Sequence, residues 1–570
     1  MLSVAFAISL IVGRLIQLQG VDGARYRNLS ERQRLMTESI PAVRGNIVSS
    51  DGTVLAMTVR TDLVAAEPPV IKEAMTLAAA ARELAGPLRM TSAAVLALLR
   101  HPTSPDYVVL KKSVDATTAD DIAKLPKLGW PAISLTPSYM RVYPGKDLAA
   151  GLLGFTDINP ASGVITGEAG VEEEYNWLLS GKSGEVAAEK GADQQPIPGT
   201  QTTIKPAVPA GNLRLTIQSD IQWEAERECA LQVRATRAKD CSVVVIQPRT
   251  GDILALAQYP DFNPAGPITS LAATADIPVA YLFTPGSTAK VITAAAAFKF
   301  AGQTPRTSYH VPDHLFWHGA WYHDAESHPA LRYTIAGILA HSLNDGMVQV
   351  ADHITPAEQY REFTAFGIGS PTGLGLPGES PGLLLPPSLW TGGSRNERYQ
   401  ISFGQSVGVT AVQMASVYAT IANGGVRVAP SIVAGHTTSS GQYVAAARPA
   451  GRRVISAKVA AQLIESLEQV PLVYDRAGEP WGIIPGYTVA AKTGTSQEPG
   501  NTFGSSFIGI TPAASDGLVI AVNIQDPRGQ SYFGIDVAGP VFNAVAKFAL
   551  ATMKIPPDGG HVPYVPLTVP

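Results

Sequence analysis

The sequence predicts an α+β protein of at least two modules, and three observations support this fold class. Hydrophobic residues make up 45% of the 570 residues and charged residues 16%, against about 25% charged in an average protein, so the chain has ample material for packed cores. A stretch rich in Pro, Thr and Gln over 192–211 has the composition of a linker. Beyond it, strand-like runs lie between terminal helices, with a helical insert, which is the α+β pattern.

Length and composition limit the organisation further. At about 100–200 residues per domain, the chain corresponds to two to four domains. The net charge of −4 is spread along the chain and argues against a nucleic-acid binder, which would carry a basic surface. The predicted segments are a membrane anchor (1–18), an elongated module (19–191), the linker (192–211), a larger module (212–555) and a tail (556–570).

The first 18 residues carry a single charge, Arg14. As a helix they would span about 27 Å, close to the ~30 Å hydrocarbon core. A cleaved signal peptide would need a basic start and a small-residue cleavage site, and a lipoprotein anchor would need a cysteine, so a single-pass anchor fits best. Because the nearby arginines all follow this segment, the positive-inside rule would leave the bulk of the chain in the cytoplasm. We expect a basic stub to precede the segment, with the bulk extracytoplasmic.

Hydrophobic periodicity and helix-end signals locate the elements. Those of the elongated module are short strands near 45–48 and 52–56, helices over 70–86 and 92–101 broken at Gly86-Pro87, a strand over 107–111, and a helix over 117–125 capped by Thr117 or Thr118. Those of the larger module are helices over 219–236, 287–300, 334–340, 412–422, 455–470 and 539–553, and strands over 242–246, 252–258, 488–492, 505–510 and 517–524.

The first motif with chemical content is Ser287-Thr-Ala-Lys290. Helical spacing places Lys290 beside Ser287 on one helix face. A serine hydroxyl needs a base to become a nucleophile, and a lysine can serve if burial and nearby cations lower its pKa. Alone, however, this pattern is more typical of a capping serine and a solvated lysine.

Two further motifs are equally weak in isolation. Ser342-Leu-Asn344 follows a short helix, where Ser342 could relay a proton and Asn344 could hold a substrate amide. Lys492-Thr-Gly-Thr495 ends a strand-like run, where it offers hydroxyls, backbone N–H groups and a positive charge for a carboxylate. In this order the three motifs are a known signature of penicillin-binding proteins and class A β-lactamases.

The chain resembles the penicillin-binding transpeptidases, and within them the class B (monofunctional), division-type, FtsI-like enzymes. Further matching stretches are Arg44-Gly-Asn-Ile47, Asp51-Gly52, Arg141-Val-Tyr-Pro144, Leu153-Gly-Phe155, Gly170-Val-Glu172, Leu179-Ser-Gly181, Phe366-Gly-Ile-Gly369, Leu376-Pro-Gly-Glu379, Gly404-Gln405 and Ala422-Asn-Gly-Gly425. The resemblance covers about residues 15–555. It implies a serine β-lactamase-like transpeptidase domain, an antiparallel sheet flanked by helices, on an elongated mixed α/β pedestal of the dimerisation type.

The resemblance also implies roles. Ser287 would attack the penultimate D-Ala carbonyl of a stem peptide ending in D-Ala-D-Ala, with Lys290 as the base. Ser342 would pass the proton to the leaving amine, supported by Lys492. An amine of a second stem peptide would then resolve the acyl-enzyme, and a β-lactam would leave Ser287 blocked. The catalytic residues implied are Ser287, Lys290, Ser342, Asn344 and Lys492, and the substrate-binding or oxyanion residues are Thr493, Gly494 and Thr495.

No cofactor or metal is implied. The implied partners are peptidoglycan stem peptides, β-lactam antibiotics, the membrane, a septal glycan polymerase and other division proteins, with no nucleic acid. A β-lactam sensor or a resistance variant of the same fold is the main alternative, because these share the three motifs; a β-lactamase and a division scaffold with a spent site are weaker ones. The sequence departs from its relatives at Thr284, Ala289 and Asp345, which puts β-lactam affinity in doubt more than activity.

Three other patterns were weighed against this interpretation. Gly404-Gln-Ser406-Val-Gly408 matches a hydrolase nucleophile elbow, but an α/β-hydrolase needs a downstream acid and histidine, and only His436 and His561 follow. Six of the ten histidines lie between His310 and His341, where prolines and glycines break any helix that would align them for zinc, so a polar loop is favoured. Cys229 and Cys241, too few for a disulfide scaffold or a four-cysteine zinc site, form either one disulfide or two buried thiols.

Overall fold

An apolar helix begins the chain. The computed structural model describes residues 2–102, 104, 107–129, 132–159, 163–190, 200, 202–390, 396–448, 450–513 and 517–570. Over Ser3–Val21, 19 residues are helical and apolar enough to cross a membrane by length and composition. Of the predicted linker, residues 192–199 and 201 lie outside the described residues, and Thr202–Lys205 is a strand.

The N-terminal module is a small mixed α/β structure. Its helices are α1 (Leu2–Ile16), α2 (Gly23–Arg34), α3 (Pro68–Ala74), α4 (Leu77–Ala85), α5 (Ser92–Arg100), α6 (Ala116–Ala123), α7 (Ala150–Leu153), α8 (Gly170–Glu174) and α9 (Asn176–Leu179). Its strands are β1 (Leu35–Ile40), β2 (Ile47–Val48), β3 (Val54–Ala66), β4 (Val108–Val114), β5 (Ile133–Val142), β6 (Thr156–Ile158), β7 (Ile165–Gly167), β8 (Gly184–Glu189) and β9 (Thr202–Lys205).

Two helix predictions in this module were wrong in detail. The helix predicted over 70–86 is two helices, because the Thr76 side chain accepts a hydrogen bond from Ala79 N and so caps a new helix. The helix predicted over 117–125 begins earlier, at Ala116, and its cap is Asp115 rather than a threonine, since the Asp115 carboxylate accepts from Thr118 N at 2.7 Å.

A buried ion cluster stabilises the elongated module. The carboxylate of Glu172 accepts hydrogen bonds from Arg44 Nε and Arg141 Nε, each at 2.7 Å. All three side chains are almost completely buried. Removing one member of such a cluster leaves an uncompensated charge and costs about 3–5 kcal/mol. The three residues come from the stretches 44–47, 141–144 and 170–172, so the cluster joins segments far apart in sequence.

The C-terminal module carries most of the helices. They are α10 (Ser219–Thr236), α11 (Ile277–Ala280), α12 (Lys290–Phe300), α13 (Ile335–Ala340), α14 (Asn344–Asp352), α15 (Pro356–Phe366), α16 (Glu397–Ser402), α17 (Ala411–Ala422), α18 (Ala457–Leu467), α19 (Gln469–Arg476), α20 (Gly534–Val537) and α21 (Gly539–Thr552). Its strands are β10 (Leu213–Leu215), β11 (Asp240–Ile246), β12 (Ile253–Tyr259), β13 (Ser308–Val311), β14 (His314–Trp317), β15 (Ala320–His323), β16 (Leu331–Thr334), β17 (Val426–Arg427), β18 (Val433–Thr437), β19 (Tyr443–Ala445), β20 (Arg452–Arg453), β21 (Ala490–Glu498), β22 (Thr502–Thr511), β23 (Leu518–Gln525) and β24 (Thr568–Val569).

A five-stranded antiparallel sheet forms the centre of this module. Its order is β12-β11-β23-β22-β21, so β21 is an edge strand. Helices α10 and α21 cover one face, and α17 packs on the other. The predicted α+β class, an antiparallel sheet flanked by helices, is therefore confirmed. The strand predicted over 488–492 was too short, because the sheet continues to Glu498 and the Lys492 motif lies inside β21.

The two modules are joined by backbone hydrogen bonds and by packing. Strand β2 pairs in parallel with β10, and β10 pairs with β18, so one mixed sheet runs from the pedestal into the C-terminal module. Cys229 on α10 and Cys241 on β11 form a disulfide with their Cα atoms 5.5 Å apart. The sequence alone left this pairing open. The disulfide fixes α10, the first helix of the module, to the central sheet.

The predicted tail packs on the C-terminal module as an ordered strand. Strand β24 pairs with β16, and Val565 is buried. Thr334, which caps helix α13, donates its N–H to Leu567 O at 2.9 Å and its hydroxyl to Pro566 O at 2.7 Å. The chain end therefore fixes the start of the helix that leads to Ser342.

Removing residues 564–570 should lower the thermal midpoint of the detergent-solubilised protein. The truncation removes the buried side chain of Val565 and two acceptors of Thr334, so we expect a decrease of about 3–6 °C. The control is Tyr564→Ala, because the Tyr564 side chain is 83% exposed. An unchanged midpoint in the truncated protein would show that this strand contributes nothing to the fold.

Candidate active site

The three sequence motifs line one cleft of about 600 Å³ between the helical region and strand β21. Its walls include five of the predicted site residues: Ser287, Ser342, Asn344, Thr493 and Thr495. The two predicted lysines, Lys290 and Lys492, lie in its floor and are fully buried. The structure therefore places residues of all three motifs around one cleft.

Ser287 lies on a tight turn that precedes helix α12. Residues Gly286–Ala289 form a single 3₁₀ turn, and the helix proper begins at Lys290. Gly286 has a φ of 53° and donates its N–H to Gly404 O at 3.0 Å. A Cβ on Gly404 would lie 1.9 Å from Gly286 O, so only glycine fits there. The half-buried Ser287 side chain is thereby presented to the cleft.

Burial makes Lys290 a base that can act near neutral pH. Its Nζ donates to the backbone carbonyl oxygen of Ser342 at 2.5 Å. Burial lowers the pKa of Lys290 to about 7, although the carboxylates of Asp324 and Asp345 act in the opposite direction. A neutral amine is therefore accessible without extreme pH, which a general base requires.

Lys492 lies close to Lys290 and competes with it for a proton. Burial and the neighbouring Lys290 charge lower the pKa of Lys492. Its Nζ donates to Ser342 Oγ at 2.9 Å, to Thr493 O at 3.1 Å and to Thr493 Oγ1 at 3.3 Å. An ammonium has three hydrogens to donate and Lys492 has three acceptors, so the hydrogen bonds favour the proton on Lys492. Electrostatics favours the opposite distribution, because the pKa of Lys492 is lowered further than that of Lys290 and two carboxylates favour a charged Lys290. We follow the hydrogen bonds and propose a charged Lys492 and a neutral Lys290.

Ser342 stands between these two lysines in an unusual backbone conformation. Its φ is 60°, in the left-handed region that is costly for a residue other than glycine. The conformation lets the carbonyl oxygen accept from Lys290 while the hydroxyl oxygen accepts from Lys492. The hydroxyl hydrogen of Ser342 is then available for a group in the cleft.

Strand β21 lies directly against the nucleophile turn because of Gly494. A Cβ at this position would lie 2.8 Å from Pro285 O and 2.3 Å from Ser506 Oγ. The hydroxyls of the two flanking threonines are also held, since Tyr474 OH lies 2.9 Å from Thr493 Oγ1 and Gly534 N donates to Thr495 Oγ1 at 3.0 Å. Nothing in the sequence indicated Tyr474 or Gly534 as parts of the site.

Thr284, one of the positions at which the sequence departs from its relatives, is contacted by a carboxylate from strand β21. Glu498 accepts from Thr284 N at 2.8 Å and from Thr284 Oγ1 at 3.1 Å. The acid expected beside the nucleophile turn thus comes from β21, 214 residues away in sequence. Asp345, another departure, is fully buried under the second motif, and burial followed by the charge of Asp324 raises its pKa to about 7.

The competing patterns have structural explanations. Ser406 Oγ donates to the side-chain oxygen of Gln400, and a hydrolase nucleophile elbow at Ser406 remains disfavoured by the sequence. Five of the six histidines lie on β13 to β15 and the adjoining loops, and His341 follows α13. No group of three or more side chains that could hold a metal occurs among the described residues. His328 lines the cleft.

Comparisons with known proteins cover both modules. A family profile described as "Penicillin binding protein transpeptidase domain" matches residues 241–547, and one described as "Penicillin-binding Protein dimerisation domain" matches 39–215. Penicillin-binding protein PbpB of Mycolicibacterium smegmatis is 30% identical, over 96% of this chain and 89% of that protein. Peptidoglycan D,D-transpeptidase FtsI of Escherichia coli is 28% identical, over 97% and 91%. The crystal structure of a peptidoglycan synthetase from Bifidobacterium adolescentis has a TM-score of 0.74 and 30% identity, covering 94% of this chain and 100% of that one.

The lowered pKa of Lys290 predicts how acylation of Ser287 depends on pH. Since the neutral amine forms as the pH rises through about 7, the acylation rate constant with a penicillin should increase about tenfold between about pH 6 and pH 8 and then level off. A lysine at its ordinary pKa of 10.5 would give a rate that still climbs above about pH 9. Stopped-flow measurement distinguishes the two profiles, and Lys458→Ala, on an exposed side chain, is the control.

Proposed function

The chain belongs to the penicillin-binding protein transpeptidase family as an FtsI-like class B member, and from this we infer its reaction. It is a serine-type D-Ala-D-Ala transpeptidase that cross-links the stem peptides of peptidoglycan and is acylated by β-lactams. The single observation that carries the assignment of the site is the Ser342-centred network. It joins Lys290 and Lys492, 52 and 150 residues away from Ser342, beside Ser287 in one cleft.

In the proposed acylation step, Ser287 Oγ attacks the carbonyl carbon of the penultimate D-Ala. The Ser287 proton passes to the neutral Nζ of Lys290, whose burial is the support for this role. The negative charge on the carbonyl oxygen is stabilised by the backbone N–H groups of Ser287 and Thr495. Edge strand β21 suits this task, because every second N–H of an edge strand points away from the sheet.

In the proposed collapse of the intermediate, the bond to the nitrogen of the terminal D-Ala breaks. The leaving nitrogen takes its proton from the hydroxyl of Ser342, which regains one from Lys290. The contact of Lys492 Nζ with Ser342 Oγ supports this path, since it leaves the hydroxyl hydrogen free to point into the cleft. Free D-Ala departs, and the penultimate D-Ala remains bound to Ser287 as an ester.

Substrate recognition is proposed to use both walls of the cleft. Thr493 and Thr495 bind the terminal carboxylate with their hydroxyls, Gly494 allows the substrate backbone to lie along β21, and Asn344 holds a substrate amide. The positive charge assigned to Lys492 favours the carboxylate. The amine of a second stem peptide then attacks the ester, which forms the cross-link and restores Ser287.

The cellular setting is also a proposal. We assign residues 1–18 as a single-pass membrane anchor, 19–191 as the pedestal, and 212–555 as an extracytoplasmic transpeptidase domain. The apolar helix Ser3–Val21 supports the anchor. The disulfide of Cys229 and Cys241 supports an oxidising compartment. The resemblance to division-type enzymes supports a septal glycan polymerase and other division proteins as partners.

The assignment of the nucleophile is tested by D-Ala release from a synthetic stem pentapeptide ending in D-Ala-D-Ala. Wild-type protein should release D-Ala, and Ser287→Ala should reduce the rate by at least about a thousandfold, because the substitution removes the proposed nucleophile. Ser406→Ala, in the competing G-x-S-x-G pattern, is the matched serine control and should keep the wild-type rate. Loss of release in Ser406→Ala with retention in Ser287→Ala would overturn the proposal.

A further inference from the structure

The loop between β15 and β16 forms one wall of the cleft and contains a buried acid–base pair. We propose that Asp324 and His328 of this loop are positioning residues, which hold Asn344 in the orientation needed to bind the amide side chain of a substrate or β-lactam. The inference rests on the proposed function, because it concerns how that site selects its acyl donor. Neither residue belongs to the three sequence motifs.

Asp324 holds the backbone at the start of helix α14. Its Oδ1 accepts from the N–H of Asn344 and, at 3.3 Å, from that of Asp345. The Asp324 side chain is 3% exposed, so this negative charge meets the positive end of the helix with little screening by water. This contact has no local signal in the sequence, because it joins residues 20 positions apart across a strand and a helix.

The same loop also orients the side chain of Asn344. Its Nδ2 donates to His323 O, immediately before Asp324, at 3.1 Å. This bond directs the amide nitrogen of Asn344 towards the loop. The amide oxygen lies on the opposite side of the group and is the atom that can accept an N–H from an acyl donor in the cleft.

His328 fixes the carboxylate of Asp324, which accepts hydrogen bonds from the start of helix α14. Its Nε2 lies 2.9 Å from Asp324 Oδ2 and its Nδ1 lies 3.0 Å from Pro329 O, so both ring nitrogens face acceptors. A ring with two acceptors is best satisfied as imidazolium. Burial alone would lower the pKa of His328, but the bonds to Pro329 and Asp324 raise it above its usual value.

The surroundings of His328 leave the ring little freedom. Its backbone N–H donates to Asp313 at 2.9 Å, and its ring packs edge-on against Tyr333 at 5.7 Å. The side chain is 11% exposed. The charges of Asp313, Asp324 and Asp345 all act on it, and His341 lies beyond Tyr333. These contacts hold the His328 ring against Asp324 and so help to keep the loop in the position from which it contacts Asn344.

The test compares two β-lactams that differ only in the amide side chain. Benzylpenicillin offers an amide N–H and carbonyl to Asn344, whereas 6-aminopenicillanic acid lacks that amide. In His328→Ala and Asp324→Ala, the acylation rate constant with benzylpenicillin should fall at least about tenfold, since small misplacements at such sites cost this much or more. With 6-aminopenicillanic acid it should change by less than about threefold. Both rates are measured at about pH 8.5, where Lys290 is largely neutral with or without the Asp324 charge.

A double-variant cycle adds a measurement that a general loss of structure would not reproduce. If His328 acts through Asn344, then His328→Ala should have almost no effect in an Asn344→Ala background. Asp324→Asn, which keeps an acceptor for the helix N–H groups but loses the charge, should fall between wild type and Asp324→Ala. His310→Ala, on an exposed histidine of β13, is the matched control and should keep both rates.

Each outcome of this comparison is decisive. An equal loss with both β-lactams, additive effects in the double variant, or unchanged rates in both His328→Ala and Asp324→Ala would overturn the inference. A wild-type protein that neither β-lactam acylates would instead overturn the proposed function. Thermal midpoints within about 3 °C of wild type in the His328 variant keep its result interpretable if the Asp324 variant unfolds.

Discussion

Two lysines buried within one hydrogen-bond network can both stay protonated only at a high cost in free energy. This constraint organises the active site. Lys290 and Lys492 are without exposed surface, and Ser342 lies between them. Two buried ammonium groups that both contact Ser342 would repel each other strongly, and removing each of them from water costs free energy. The acceptors are divided unequally between them, and on this basis we propose that Lys492 stays charged and Lys290 is the base.

The scaffold serves this arrangement by fixing each partner from outside. Gly494 and Gly404 allow β21 and the Gly404 carbonyl to lie against the nucleophile turn, where any side chain would clash. The C-terminal strand fixes the start of α13, and Asp324 fixes the start of α14, so the turn that carries Ser342 is held at both ends. That support lets Ser342 keep a left-handed conformation that it would otherwise leave.

What the sequence could predict is local. The helix at 219–236 was predicted at its observed bounds, because its apolar periodicity is uninterrupted. The motif residues were found because their spacing is specific as a set. Residues whose roles depend on distant contacts were missed: Glu498 replaces the expected acid through a contact across 214 residues, and the strand at Thr568–Val569 has no local signal at all. A cap such as Asp115 was missed because neighbouring threonines are equally good candidates.

The most direct test of the account is to locate the covalent adduct. Intact-mass spectrometry after incubation with benzylpenicillin should show one added penicilloyl group on wild-type protein, and peptide mapping should assign it to Ser287. The adduct should form near neutral pH, because burial lowers the pKa of Lys290 to about 7, and Lys290→Ala should form it at least about a hundredfold more slowly. An adduct on any other residue, or a Lys290→Ala rate equal to wild type, would contradict the central claim that the buried lysine pair activates Ser287.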